Sequence, residues 1–278
     1  MNATRISISI PDSCLSESVS LIAKSQKISQ IARACSIFRV NKIFIYRDRT
    51  INSHDNHIIK TILEYLDTPP YLRRKIYPEM KVLKYAGTLP PIKSPHHKSK
   101  IHLRDLKNDE YRVGLVVKTH GRLYVDVGLD RQLPLEGDLM EKSKIIVRIK
   151  RNRNEYLCRE VRKNELTGYW GYDVEFVPSL FGLIRNDNYK VVITSKEGKF
   201  FRITDLNDIR KREILLLFGS PKIGIRKILE SEKIDFGQNL NDYTFNMFPY
   251  QGTNTVRLEE AVLGTLSIVN HSLNYHGT

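Results

Sequence analysis

Two glycine-bearing turns are where this chain could do chemistry. The first is "LLLFGSPKIG", in which Gly219, Ser220 and Pro221 follow an apolar run and Gly224 precedes a helical stretch. At the C-terminal end of a buried strand such a turn admits a ligand to the backbone, and freed amides can bind its polar groups. The second is "NMFPYQGTN", rich in amides and hydroxyls, directly ahead of a helix expected to begin near Thr255. Beyond it, "RLEE" sets Arg257, Glu259 and Glu260 in that helix's first turn. A cation there can contact an acceptor or a phosphate, and a carboxylate can take a proton. The plainer alternatives are that carboxylates favour a helix N-terminus and that Arg257 pairs with one of them. Neither turn is a G-x-G-x-x-G fingerprint or a G-K-[ST] phosphate loop.

These turns need a sheet to hold them. "RISISI" alternates as a half-buried strand does, and Pro11-Asp12-Ser13 breaks it before a helical stretch from about Ser16 to Phe38. "VNKIFIY" predicts a strand, and "HIIKTILEYL" predicts a helix stopped at Thr68-Pro69-Pro70. "YKVVITSKEG" predicts a strand and turn, "REILLLFG" a strand buried on both faces, and "KIGIRKIL" the start of a helix. In the last helix Leu258, Val262, Leu266 and Val269 share one face. Alternating strand and helix predict an α/β fold with a parallel sheet.

A different texture interrupts this pattern. "YAGTLPPIKSPHHKSK" has the prolines of a crossing linker, and "YRVGLVVKTHGRLYVDVGLDRQLPL" and "SKIIVRIKRNRNEYLCREV" then give short strands separated by glycine turns. Such spacing predicts a small β-barrel over 93–173, inserted between 1–92 and 174–278, and its pattern resembles the OB-fold RNA-binding modules. The whole chain carries a net +14, and Lys93 to Asp173 has 18 Lys and Arg against 12 Asp and Glu. Lys142 to Lys163 alone has nine basic and two acidic residues. An excess of this kind favours a polyanionic partner. Arg148, Lys150, Arg151 and Arg153 are the candidate RNA contacts there, with Tyr111, Tyr124, Tyr156, Tyr169, Trp170 and Tyr172 nearby as stacking groups or core.

Cys14, Cys35 and Cys158 have no paired short spacing, so neither a zinc motif nor a disulfide framework is read, and a reducing cytoplasm fits. The apolar-rich stretch Val19 to Phe38 is broken by Lys24, Gln26, Lys27 and Arg33, and "MNATRISISI" lacks a signal peptide's apolar core. A soluble, cytoplasmic protein without membrane association is expected. His96 and His97 have no acidic or cysteine neighbour in sequence, so no metal site is expected.

"PPYLRRKIYPEMKVLKYAGTLPPIKSPHH" together with "FPYQGTNTVRLEEAVLG" resembles the archaeal and eukaryotic branch of the SPOUT methyltransferases, which includes RNA uridine N3-methyltransferases. The resemblance spans nearly the whole chain. It implies a Rossmann-like sheet whose C-terminal segment, here about 214–270, threads a trefoil knot, an exception to the usual absence of knots. It also implies S-adenosylmethionine held in the knot loops and a homodimer formed partly through the last helix. On this chain the cofactor residues would be Phe218, Gly219, Ser220, Pro221 and Gly224, then Asn246, Met247, Phe248, Gln251, Gly252 and Thr253, leading into Thr255 and Val256. Some first knot loops of the family carry a glutamate or a histidine, where this one reads "GSPKIG".

Transfer of a methyl group to N3 of uridine requires loss of the N3 proton. Arg257 is the candidate contact to the base or its phosphate, and Glu259 or Glu260 the candidate acid-base group. Arg73, Arg74, His96 and His97 are further RNA candidates, the histidines through their match to the family's "PHH". The implied activity is methylation of ribosomal RNA by a barrel-bearing enzyme without a metal. A non-catalytic ribosome-assembly factor with the same fold, or a protein-interaction module, would also fit the charge.

Overall fold

A computed structural model describes residues 4–49, 55–152, 155–209, 213–220, 222–235 and 237–274. In chain order its elements are β1 (Ile6–Pro11), α1 (Leu21–Ile37), β2 (Val40–Tyr46), α2 (Asn56–Asp67), α3 (Pro70–Ile76) and β3 (Glu110–Thr119). They continue with β4 (Arg122–Asp126), β5 (Leu133–Glu136), β6 (Lys144–Asn152), β7 (Glu155–Glu160), β8 (Asp173–Val177) and α4 (Phe181–Ile184). The last are β9 (Tyr189–Phe200), β10 (Glu213–Leu217), α5 (Ile225–Ser231), α6 (Gly237–Asp242), β11 (Thr244–Asn246) and α7 (Leu258–Asn274). The chain divides into two compact units, one of Met1–Glu64, Val82–Ile92 and Tyr172–Thr278, the other of Tyr65–Lys81 and Lys93–Gly171.

The first unit is built on a six-stranded sheet in the order β11-β9-β10-β1-β2-β8, and every pairing is parallel. The Ile/Ser alternation of β1 predicted a half-buried strand, but all six residues are buried. β1 lies in the middle of the sheet with both faces covered, and serine is small enough to be buried there, the Ser7 hydroxyl donating to Glu213. One core layer joins Phe44, Tyr46, Ile193, Leu215 and Leu217 of the strands to Leu183, Ile225, Ile228 and Leu240 of the helices. α1 and α7 pack against each other, and Leu258, Val262, Leu266 and Val269 of α7 are all buried, as their spacing predicted.

β9 does not turn at "SKEG" but runs on to Phe200. A Cβ on Gly198 would sit 2.7–2.8 Å from the backbone of Phe245, so glycine is what lets β11 lie against it. The register of that pairing jumps from Thr244↔Ile193 to Phe245↔Lys199, and β10 pairs with β9 only as far as Leu217↔Ile193. The segment from Thr194 to Gly198 is thereby left outside both ladders.

The second unit is a closed barrel in the order β3-β4-β5-β7-β6, filled by Val116, Val125, Leu133, Val147, Ile149 and Cys158. The predicted boundary of 93–173 omits a piece of it. Residues 65–81 belong here because Tyr71, Leu72 and Ile76 pack with Val113, Leu115, Ile146 and Trp170. The prolines at 69 and 70 do end α2, but Pro70 also starts α3, where its fixed φ and missing N–H suit a helix's first turn.

Candidate functional site

The strands of a parallel sheet end together, and here the ends of β10 and β11 flank the unladdered segment of β9. Between them lies a cleft of about 480 Å³ in the first unit. Its walls are Thr194–Glu197 from β9, Phe218-Gly219-Ser220 and Lys222–Lys227 after β10, Glu230 of α5, Asn246–Phe248 with Gln251 after β11, and Asn254–Val256, Leu258 and Ala261. Both chemically suggestive turns therefore meet at one place.

Each turn is held by its own hydrogen bonds. The Tyr46 hydroxyl, fully buried, donates to the Phe218 carbonyl (2.8 Å), and the Thr194 hydroxyl donates to Leu217 O (2.9 Å). Ser220 closes a loop on Ile223: its N–H donates to Ile223 O (3.0 Å) and its Oγ accepts from Ile223 N (3.1 Å). A Cβ at Gly219 would lie 3.0 Å from Ile225 N and 3.2 Å from Ile223 O, so the turn is tight against the start of α5. In the second turn the Asn246 side chain donates to Lys196 O (3.1 Å) and accepts from Phe248 N (2.9 Å). Gln251 Nε2 donates to the carbonyls of Thr253 (2.8 Å) and Asn254 (3.2 Å), and Lys196 Nζ reaches Asn254 O at 3.3 Å. Phe248 is seated by α7, where a Cβ on Gly264 would come within 2.5 Å of its ring.

Of the expected cofactor residues, Phe218, Gly219, Ser220, Gly224, Asn246, Met247, Phe248, Gln251, Thr255 and Val256 line this cleft. Gly252 and Thr253 do not, and a side chain at Gly252 would meet nothing within 4 Å. Pro221 lies outside the described residues. Thr194, Ser195, Lys196, Glu197, Lys222 and Glu230 line it without having been singled out. The polar run "TSKEG" ending in a glycine was the signal for the first four.

The acid-base candidates stand elsewhere. Glu259 turns to α1 and pairs with Lys27 Nζ at 3.3 Å, the two side chains being 12% and 8% exposed. Glu260 accepts from the N–H of Arg257 (2.9 Å), which caps α7, so the helix starts at Leu258 rather than near Thr255. Arg257 is exposed and does not line the cleft. The carboxylates in the cleft are Glu197 and Glu230, and its cations Lys196, Lys222, Arg226 and Lys227.

In the second unit, three of the RNA candidates do structural work at the C-terminus of α2. Nε2 of both His96 and His97 lies on Asp67 O (3.0 and 2.8 Å), and Arg73 donates to Thr68 O (2.8 Å) and Leu66 O (3.2 Å). These are carbonyls that a helix leaves unsatisfied. An acidic group absent from the sequence neighbourhood is thus present in space, with Asp67 Oδ1 3.3 Å from His96 Nε2 and ligand-type atoms of Asp67, His96 and His97 all within 4.8 Å. Because a carbonyl only accepts, both Nε2 atoms carry hydrogen, which occupies the lone pairs a metal would need there. Burial, with His96 beside it, pushes the His97 imidazole down to about 4, so it is neutral near pH 7. Arg74 is exposed.

The barrel places Tyr111, Arg148 and Arg159 in one cross-strand row, through the pairings Tyr111↔Arg148 and Arg148↔Arg159. Arg148 lies 5.8 Å from the centre of the Tyr111 ring and is held by Asp109. Lys150 and Arg151 are exposed, with Arg151 6.0 Å from the Tyr156 ring centre. Arg153 lies outside the described residues.

The profile of a family described as "Putative RNA methyltransferase" matches residues 5–269. The chain belongs to that family. Among the proteins similar to this chain is the 28S rRNA (uridine-N(3))-methyltransferase of Drosophila melanogaster, 27% identical over 98% of this chain and 63% of the relative. The chain thus spans less than two thirds of that protein. The human protein of the same name is 26% identical over 96% of this chain and 78% of its own length. An uncharacterized protein of Haloarcula marismortui is 25% identical, covering 94% and 97%.

Proposed function

We propose that this chain is an S-adenosylmethionine-dependent methyltransferase of SPOUT type that methylates N3 of a uridine in large-subunit ribosomal RNA, working as a cytoplasmic homodimer. The observation that carries the proposal is the cleft at the ends of β10 and β11, in a chain whose relatives are named for that reaction. A threaded C-terminal segment over about 214–270 would account for how two turns distant in sequence come to share one cleft. No described helix is long and apolar enough to cross a membrane.

The donor set fits the cofactor. Phe218, Met247, Val256 and Leu258 offer apolar surface to an adenine, while two hydrogen-bonded turns present backbone carbonyls and amides. Glu197 and Glu230 suit the cationic end of the methyl donor, and Lys196, Lys222, Arg226 and Lys227 suit a carboxylate or an RNA phosphate. Bound there, S-adenosylmethionine would supply a methyl group activated by its sulfonium. The chain's own contribution is to fix the acceptor in line with that methyl and to accept the N3 proton. Glu197 or Glu230 takes the proton in this proposal, since Glu259 and Glu260 are engaged in packing and capping.

Calorimetry with S-adenosylhomocysteine tests the site, and nucleoside mass spectrometry of ribosomal RNA from wild-type and deletion strains tests the reaction. Binding together with loss of one N3-methyluridine on deletion is expected. RNA binding without S-adenosylhomocysteine binding would instead identify a non-catalytic assembly factor.

A further inference from the structure

A second cleft, of about 420 Å³, lies wholly within the second unit and is lined by Pro70, Tyr71, Lys75, His97, Lys98 and Lys100, with Asp126 and Gly128 at its base. We propose that it is a nucleotide-binding site that takes one residue of an RNA strand, with the phosphate facing Lys75, Lys98 and Lys100. This rests on the reading that the substrate is RNA.

The cleft is built rather than incidental. Gly128 adopts φ +77°, and a Cβ there would fall 2.5 Å from the Tyr71 ring, so the ring lies directly on the backbone. The Tyr71 hydroxyl is fixed on Val113 O (2.6 Å). Arg112, almost fully buried, donates to Ser99 O (3.0 Å) and Val127 O (3.1 Å), tying the Lys98–Lys100 segment to the turn before Gly128. Two of the lysines are pre-positioned by acids: Lys75 by Asp126, and Lys98 by Glu110 at 2.9 Å. Lys100 is exposed and has no hydrogen-bond or ion-pair partner among the described residues. With Arg112 bound to Glu110 at 3.0 Å, these four cations against Asp126 and Glu110 leave a surplus that matches a phosphodiester rather than a cation.

The uncharged part of the ligand has a partner as well. His97 uses Nε2–H on Asp67 O, which leaves Nδ1 as an acceptor. Its complement is a donor, such as the ribose 2′-hydroxyl that distinguishes RNA from DNA.

The test measures binding of the full chain to a short uridine-containing single-stranded RNA by fluorescence anisotropy across salt concentrations, beside the DNA of the same sequence. Lys100→Glu is expected to weaken RNA binding about tenfold and to reduce the salt slope by about one. Uridine 5′-monophosphate should compete more strongly than its 2′-deoxy form or inorganic phosphate. Unchanged affinity and slope in Lys100→Glu, with no competition by the free nucleotide, would overturn the site. Competition by the free nucleotide alongside RNA binding that Lys100→Glu leaves intact would overturn the RNA strand as occupant. Calorimetry with S-adenosylhomocysteine separates the two proposals. Wild type that binds it but binds no RNA sinks the cleft alone, whereas RNA binding lost in Lys100→Glu, with no S-adenosylhomocysteine binding by wild type, sinks only the methyl-donor reading.

Discussion

Glu259 shows how a residue in the right place in sequence can serve packing instead of chemistry. Its carboxylate and the Lys27 ammonium are both largely removed from water, and removing one partner would leave the other charge buried and unpaired. Glu259→Leu is therefore expected to destabilise the protein by about 3 kcal/mol. Glu260→Ala should cost about 1 kcal/mol through loss of the α7 cap. Chemical denaturation checks both, and S-adenosylhomocysteine affinity should change less than about twofold. If Glu259→Gln kept stability but lost methyl transfer, Glu259 would return as a catalytic group. His97 gives a pH signature of the same kind. Its folded-state pKa, about 4 through burial and the neighbouring His96, lies below its unfolded value. The unfolded chain then binds more protons between those two values, so stability is full above the unfolded pKa near 6.5 and falls as pH drops towards 4. The loss is on the order of 2–3 kcal/mol, seen as a shift in denaturation midpoint that His97→Gln should flatten.

Among elements, the decisive one is the junction of β11, its following turn and α7. Phe248 reaches its place in the cleft because Gly264 gives its ring room on the helix. Gly264→Val should displace the ring and weaken S-adenosylhomocysteine binding about tenfold, whereas Gly252→Val, pointing into open space, should leave it within about twofold. Calorimetry on the two variants side by side decides it, and equal affinities would show that Phe248 does not shape the site. The sequence already disclosed much of this junction: both turns and the buried face of α7 were legible in glycine placement and apolar period, and ten of the cleft's residues were implied by the family resemblance. What it hid has physical causes. β9 looked finished at "SKEG" because a polar run with glycine is an ordinary turn signal, and only the register jump against β11 turns Thr194–Glu197 into a cleft wall. The partners of Glu259, His96 and His97 sit far along the chain, at Lys27 and Asp67, and no local pattern announces such pairings.

Across the whole molecule, charge is divided unequally. Tyr65–Lys81 and Lys93–Gly171 hold 22 Lys and Arg against 13 Asp and Glu, so about a third of the residues carry +9 of the net +14. Residues 65–81 add to that excess, which is why an insertion drawn at Lys93 understates both the core and the charge of this unit. Deleting 93–173 would therefore also disturb what remains, since Leu72, fully buried, would lose Val113 and Ile146. Charge reversal on the intact chain is cleaner. Lys150 and Arg151 are exposed at the end of β6, so Lys150→Glu combined with Arg151→Glu leaves the barrel core untouched. If both contact phosphates, the slope of log affinity against log salt should fall by about two, and RNA affinity should drop about a hundredfold at low salt, converging with wild type as salt rises. S-adenosylhomocysteine affinity should stay within about twofold, because the residues that line its cleft all belong to the other unit. An unchanged salt slope would mean that the barrel's basic strand does not carry RNA.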